Sequence, residues 1–210
     1  MVSYIYLIPG LPLLAFVINI LFGKRLKEKS ALTAILAIAV SFLLSCLALK
    51  EVIGKNSLHQ SMVWFNSGKY VFNLGILVDP LSAMMLVVVS FVSLLVQVYS
   101  VGYMHGDKPY SRFFAHISLF TFSMLGLVLS DNLIQVYIFW ELVGLCSYFL
   151  LSYWFKKPAA AEAGKKAFIT NRIGDAGFFI GIAMLFYYLG TSDFSAINQK
   201  IAAGGLNPDI

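Results

Sequence analysis

Long apolar stretches separated by short polar or basic loops run along almost the whole of this 210-residue chain. An α-helix crosses a bilayer with about 20 residues, because each residue adds about 1.5 Å. Six of the stretches reach that length. The pattern therefore predicts an all-α polytopic membrane protein with about six transmembrane helices, placed at about 5–22, 31–49, 79–103, 112–129, 129–155 and 165–189.

A polar excursion separates the second and third apolar stretches. Within it, two aromatic runs flank the turn sequence Asn66-Ser67-Gly68, which predicts a short surface β-hairpin between helices two and three. His59 lies beside this hairpin, where we expect it to be solvated. Asp79-Pro80 then suits the N-cap and first position of helix three. The last stretch, 191–210, predicts a short surface helix that starts near Ser192 and ends at Gly204.

Composition supports the membrane assignment and excludes several other classes. The chain is 60% hydrophobic and only 12% charged, about half the charge of a soluble domain. Its net charge of +5 does not indicate nucleic-acid binding, because the basic residues are confined to loops and helix ends. Cys46 and Cys146 both fall in apolar helices and are expected to pack as small hydrophobes rather than to form a disulfide or a metal site.

The basic residues also predict the orientation. The regions 22–30, 104–112 and 155–172 hold eleven of the fifteen Lys and Arg residues. Cytoplasmic loops carry the Lys/Arg excess, so these loops are expected inside and both termini outside.

Two carboxylates and one arginine fall in the middle of predicted helices five and six. Glu141 is about 15 Å from the polar turn that starts its helix, near the bilayer midplane, and Asp175 is about as deep in helix six. Arg172 precedes Asp175 by three residues, so the two can pair on one helical face. Glu141 has no such partner in its own helix and must be neutral, hydrated or paired with a charge from another helix.

Three further residues are weaker candidates for a relay. His116 lies about one turn into helix four, where a satisfied interface residue is the more common finding. Lys165 and Lys166 lie where lysines that anchor a helix to the membrane surface are also found. Together with Glu141, Arg172 and Asp175 they favour a proton or cation path over structural ion pairing alone.

Redox chemistry is not indicated in this chain. It has no cysteine cluster for iron–sulfur ligation, no dinucleotide-binding glycine pattern, no P-loop and no paired histidines for haem. We therefore expect no cofactor and no metal in it.

Three segments resemble one known family. They are VDPLSAMM, the long run VGYMHGDKPYSRFFAHISLF through FWELVGLCSYFLLSYWF, and KKAFITNRIGDAGFFIG. Together they resemble the amino-terminal part of the chain-5-type (L-type) antiporter-like subunit of proton-pumping NADH:quinone oxidoreductase, respiratory complex I. The resemblance covers nearly all of 60–190, and FWELVGLCSYFLL followed by NRIGDAGF is its most specific part.

The resemblance implies a membrane-arm subunit that translocates protons. Glu141 matches the glutamate of the family's proton path, and Arg172 and Asp175 match its arginine and aspartate. It also implies a lysine on a later helix that is coupled to Glu141. NADH, flavin, iron–sulfur clusters and quinone would be bound by partner subunits, and this chain would contact other membrane-arm subunits and the lipid bilayer.

The resemblance also implies a division of the chain. Residues 1–78 would hold helices one and two with the hairpin, 79–190 the start of the proton-translocation module, and 191–210 a surface segment at a truncated end, because family members are much longer. The expected location is a bacterial inner membrane or a mitochondrial inner membrane.

Two alternatives stay open. The first is the large subunit of a multi-subunit sodium/proton antiporter, which would use the same glutamate without quinone or NADH. The second is a structural membrane subunit whose charges only fix the helix packing.

Overall fold

The computed structural model describes residues 4–53, 57–67, 70–107 and 109–203. Within these residues the chain forms six long helices, a β-hairpin between the second and third, and one short helix after the sixth. The helices are α1 (Leu7–Leu26), α2 (Lys29–Val52), α3 (Pro80–Tyr103), α4 (Tyr110–Leu129), α5 (Leu133–Leu151), α6 (Pro158–Leu189) and α7 (Phe194–Ala202), and the strands are β1 (Leu58–Ser67) and β2 (Tyr70–Val78).

The predicted fold class is confirmed. All six long helices, α1 to α6, are long and apolar enough to cross a membrane, and the two strands form an antiparallel hairpin at the predicted place. Helix α3 begins as expected, because the Asp79 carboxylate accepts a hydrogen bond from the Ser82 amide at 2.6 Å. Helix α7 has Asp193 as its N-cap residue, and Gly204, its predicted end, lies outside the described residues.

Helix α5 is shorter than the apolar stretch at 129–155 predicts. It begins at Leu133, because the Asn132 side chain accepts a hydrogen bond from the Gln135 amide at 2.8 Å and caps the helix. It ends at Leu151, where the chain turns towards α6. Glu141 still lies near its middle, about 12 Å from Leu133 along the helix axis.

Helix α4 is the centre of the bundle and contacts α1, α2, α3 and α5. Half of the membrane-spanning part of α4 is buried inside the protein, compared with 17% of the membrane-spanning part of α6. Close approach is possible because α4 carries small residues: Gly126 lies directly against the Phe139 ring of α5. Helix α6 packs on α5 and leaves most of its surface exposed.

The hairpin is fixed to the ends of three helices by a network we call the polar clamp. The Gln135 amide makes two hydrogen bonds with the Gly75 backbone, at 3.0 and 3.1 Å. Asn73 donates to the Asp193 carboxylate at 3.2 Å. The clamp consists of His59, Asn73, Asp131, Asn132, Gln135 and Asp193.

The expectation that His59 is merely solvated is wrong. Its Nε2 lies 2.9 Å from Oδ2 of Asp131, a carboxylate with a side chain only 3% exposed. The turn between α4 and α5 presents this buried carboxylate to strand β1, so the histidine has a partner that the local sequence does not reveal.

Candidate functional site

Aromatic contacts set the register between α5 and α6. The Tyr137 ring lies 5.8 Å from the ring of Phe178, and the Tyr148 ring lies 5.5 Å from the ring of Phe168. The two helices run in opposite directions, so residues between these contacts face each other at the same depth. Glu141 on α5 and Arg172 on α6 both fall in this interval, near the centre of the span.

The structure brings Glu141, Arg172 and Asp175 into one cluster. Nη1 of Arg172 forms an ion pair with Oε2 of Glu141 and lies 3.6 Å from Oδ2 of Asp175. The side chains of Glu141 and Asp175 are 23% and 8% exposed. Of the three options for Glu141, the structure shows pairing with a charge from another helix, Arg172, and this arginine is shared between two carboxylates.

The cluster holds an unbalanced charge. With every group ionised, two carboxylates and one guanidinium leave one negative charge at a depth where lipid surrounds the bundle. An unpaired charge at that depth costs several kcal/mol. Binding one proton, or one cation from outside the cluster, removes this cost. The arrangement therefore provides a place where a single positive charge can bind.

Two aromatic residues support the cluster. Trp140 donates its indole N–H to Oδ1 of Asp175 at 2.8 Å. The Arg172 guanidinium lies over the Phe168 ring, 4.7 Å from its centroid. These contacts, one from α5 and one from α6, hold the carboxylate of Asp175 and the Arg172 side chain in place.

A groove between α5 and α6 reaches the cluster. It has a volume of about 610 Å³, and its lining includes Trp140, Gly144 and Ser147 from α5 and Gly174 and Asp175 from α6. The two glycines lack side chains that would fill this space. Its lining is largely apolar, but Ser147, Asn171 and Asp175 supply polar groups that water in a cavity of this size can contact.

The predicted relay residues lie apart from this cluster. The His116 ring stacks on Phe149 at 5.1 Å, and Phe149 is about 12 Å beyond Glu141 along α5. Its Nδ1 is buried without a hydrogen-bond partner among the described residues. Lys165 and Lys166 are exposed, and within the described part of the chain no ion pair involves either of them.

Sequence reasoning missed Trp140, although a signal was present. An indole N–H inside a membrane requires an acceptor, and Trp140 directly precedes Glu141 on a helix whose neighbour carries Asp175 at similar depth. The polar clamp was missed for a different reason: its members come from four separate segments, and no spacing in the sequence joins them.

Two descriptions of known families match this chain. Residues 64–114 match "NADH-Ubiquinone oxidoreductase (complex I), chain 5 N-terminus". Residues 130–208 match "NADH:quinone oxidoreductase/Mrp antiporter, TM". Together the two matches cover more than half of the chain, and the second includes Glu141, Arg172 and Asp175.

Curated relatives are similar over nearly the full chain. NAD(P)H-quinone oxidoreductase subunit 5 of the Zygnema circumcarinatum chloroplast is 48% identical over 208 residues, which cover 94% of this chain and 29% of the relative. F(420)H(2) dehydrogenase subunit L of Methanosarcina mazei is 50% identical over 204 residues, which cover 96% and 29%. The chain thus spans about a third of the length of the curated relatives it matches.

Solved structures share the fold at low sequence identity. A chain of the archaeal membrane-bound sulfane sulfur reductase, a respiratory membrane complex, matches with a TM-score of 0.80 at 18% identity, over 98% of this chain and 41% of that one. A chain of the Mrp complex from a Dietzia species matches with a TM-score of 0.76 at 21% identity, over 92% and 20%.

Proposed function

Because this chain belongs to the chain 5 family of NADH:quinone oxidoreductase (complex I) membrane subunits, we propose that it translocates protons as part of such a complex. Electrons would pass from NADH to quinone in other subunits, which would hold the flavin and the iron–sulfur clusters. The observation that carries the proposal is the cluster of Glu141, Arg172 and Asp175 between two membrane-spanning helices.

The cluster supplies the chemistry that a proton path needs. A shared arginine can pair with either carboxylate, so protonation of one carboxylate strengthens the pairing with the other. Movement of Arg172 between Glu141 and Asp175 is short, because the guanidinium already contacts the first and lies 3.6 Å from the second. Redox events elsewhere would drive transport by changing which of these two arrangements is favoured.

The groove provides the proton's access to this cluster. It opens beside Asp175 and is lined by Asn171 and Thr170 as well as by apolar residues. On α6 the lining runs from Thr170 to Phe178, so water in the groove would extend from Asp175 towards the predicted cytoplasmic end of the helix, where Lys165 and Lys166 lie. His116, near the same end of α4, would be a further relay. In this proposal, 79–190 form the start of the translocation module, and the membrane is a bacterial or organellar inner membrane.

The test uses the chain in its native complex with Glu141→Gln, which keeps the side-chain shape and removes the charge. Proton uptake driven by NADH is expected to fall severalfold or more, with the complex still assembled. Glu162→Gln is the matched control, because Glu162 is an exposed carboxylate at the start of α6 that forms no ion pair within the described residues. Equal proton uptake in the two variants would contradict the proposal.

The second candidate is the large subunit of a sodium/proton antiporter. Its support is that the match over 130–208 describes Mrp antiporters as well as quinone oxidoreductases. The two candidates differ in driving force. Under the antiporter reading, an imposed sodium gradient drives proton movement without NADH, and Glu141→Gln abolishes that movement. Under the main proposal, the sodium gradient has no effect and NADH is required.

A further inference from the structure

A basic pocket lies at the end of the bundle where α4 begins and α5 gives way to α6. Its volume is about 430 Å³. Among the described residues its lining contains three cations, Arg112, Lys156 and Lys157, and no carboxylate, although the Asp107 carboxylate accepts a hydrogen bond from the lining residue Trp154. The other lining residues are Pro109, Tyr153, Trp154 and Phe155.

Arg112 is held in a fixed orientation within this pocket. Its Nη2 donates to the Tyr153 carbonyl at 3.2 Å. Its guanidinium carbon lies 5.4 Å from the Tyr153 ring centroid and 5.3 Å from that of Phe155. No ion pair involves Arg112 among the described residues, and its Nε is buried there without a hydrogen-bond partner. An arginine held between aromatic rings loses little freedom when it binds an anion.

The rest of the pocket adds positive charge. Lys156 and Lys157 are exposed, and within the described ranges neither forms an ion pair. Lys157 lies over the Trp154 ring at 5.2 Å, and the Trp154 indole is fixed by Asp107 at 3.1 Å. Burial raises the pKa of Tyr153 to about 12, so its phenol stays neutral and offsets none of the charge.

A neighbouring pocket at the same end of the bundle has a different balance of charged residues in its lining. The larger pocket between α1 and α4, of about 710 Å³, is lined by Lys24 and Lys27 but also by Glu28 and Asp107. Its cations therefore have acidic neighbours. The two pockets share Pro109 and Arg112, and Asp107 of the larger pocket accepts the hydrogen bond from Trp154 of the smaller one. Among the described residues, the smaller pocket differs in having no carboxylate in its own lining.

We propose that this basic pocket binds the phosphate headgroup of an anionic phospholipid. The pocket lies at the ends of membrane-spanning helices, on the side predicted to face the cytoplasm, where lipid headgroups are abundant. Exposed Trp154 and Phe155 beside it are side chains that favour the membrane interface. Basic pockets between helices at this depth recognise acidic headgroups by charge. The site is separate from the proton path and does not depend on it.

The test measures which lipid the native complex retains. The complex is reconstituted in vesicles with equal phosphatidylglycerol and phosphatidylcholine, extracted in mild detergent, and analysed by native mass spectrometry and titration. Lys156→Gln with Lys157→Gln is the pocket variant. Arg25→Gln with Lys29→Gln is the control, since it removes two exposed charges from the facing ends of α1 and α2, at the same end of the bundle. Neither pair lies in the packed core, and thermal unfolding checks that both variants fold.

The wild-type protein and the control are expected to retain phosphatidylglycerol in preference to phosphatidylcholine. The pocket variant is expected to bind it about 25-fold more weakly, from about fivefold for each cation near a membrane surface. An equal loss of phosphatidylglycerol binding in both variants would show that the lipid responds to surface charge in general, and it would overturn the proposal. No loss in the pocket variant would also overturn it, because the lipid would bind elsewhere or another protein segment would cover the pocket. Displacement by an equal concentration of inorganic phosphate would assign the pocket to free anions instead.

Discussion

Two buried glutamines test whether the hydrogen bonds of the polar clamp stabilise the fold, because the same substitution should have different effects at the two positions. Gln135 is 7% exposed and makes two hydrogen bonds with the Gly75 backbone. Gln97 in α3 is fully buried, and neither of its side-chain polar atoms has a hydrogen-bond partner among the described residues. Methionine has nearly the shape of glutamine and lacks the polar amide.

The expected magnitude for Gln135→Met follows from the groups left behind. The amide and the carbonyl of Gly75 would both remain buried without a partner, and each such group costs about 1–3 kcal/mol. For the two groups together, the free energy of unfolding should fall by roughly 2–6 kcal/mol. Gln97→Met removes an unsatisfied buried amide instead, so the free energy of unfolding should stay the same or rise by about 1 kcal/mol.

The assay is denaturant unfolding in detergent micelles, combined with hydrogen exchange of the hairpin amides. Gln135→Met should increase exchange across β1 and β2, because the hairpin loses its attachment to α5. Gln97→Met should leave that exchange unchanged. An equal loss of stability in the two variants would refute the reasoning, since it would show that the hydrogen bonds of Gln135 contribute nothing beyond its shape.

Three other predictions concern packing, the site and pH. Gly126→Ala should destabilise the bundle by about 1–3 kcal/mol because the new methyl overlaps the Phe139 ring. Gly102→Ala, with open space around it, should be neutral or stabilising. Thermal unfolding compares the two variants. Trp140→Phe should reduce proton transport severalfold by freeing Asp175, while Trp64→Phe in the exposed hairpin should not; equal transport in vesicles would contradict this. Burial raises the pKa of Asp193 above 3.8 in the folded protein. Its contribution to the free energy of unfolding is therefore favourable below pH 3.8 and is lost as the pH rises through the raised pKa. Asp193→Asn should therefore unfold at a higher temperature than wild type at neutral pH, with the difference vanishing in acid; a lower unfolding temperature at every pH would contradict it.

Much of the fold could be predicted because each membrane helix is encoded locally. Apolar length places α1 to α6, and the Asp79-Pro80 pair marks the start of α3 to the residue. The main error was the length of α5, whose apolar stretch continues past both helix ends. Polarity alone does not show that Asn132 caps the helix, because the cap depends on where its side chain points.

The candidate site was predictable in its members but not in its connections. Glu141, Arg172 and Asp175 stand out because charged residues are rare inside a membrane. The local sequence pairs Arg172 with Asp175, three residues away, but the partner of Glu141 depends on how α5 and α6 are aligned. That alignment is set by aromatic contacts such as Tyr137 with Phe178, which no spacing rule predicts.

The central claim is that the Glu141–Arg172–Asp175 cluster gains and loses a proton while the complex works. Infrared difference spectroscopy of the native complex, recorded before and after NADH is added, measures this directly through the carboxylic acid C=O band. The account predicts a change in this band that is absent in Glu141→Gln and retained in Glu162→Gln. The same band change in both variants would contradict it, because the proton would then be held by other groups.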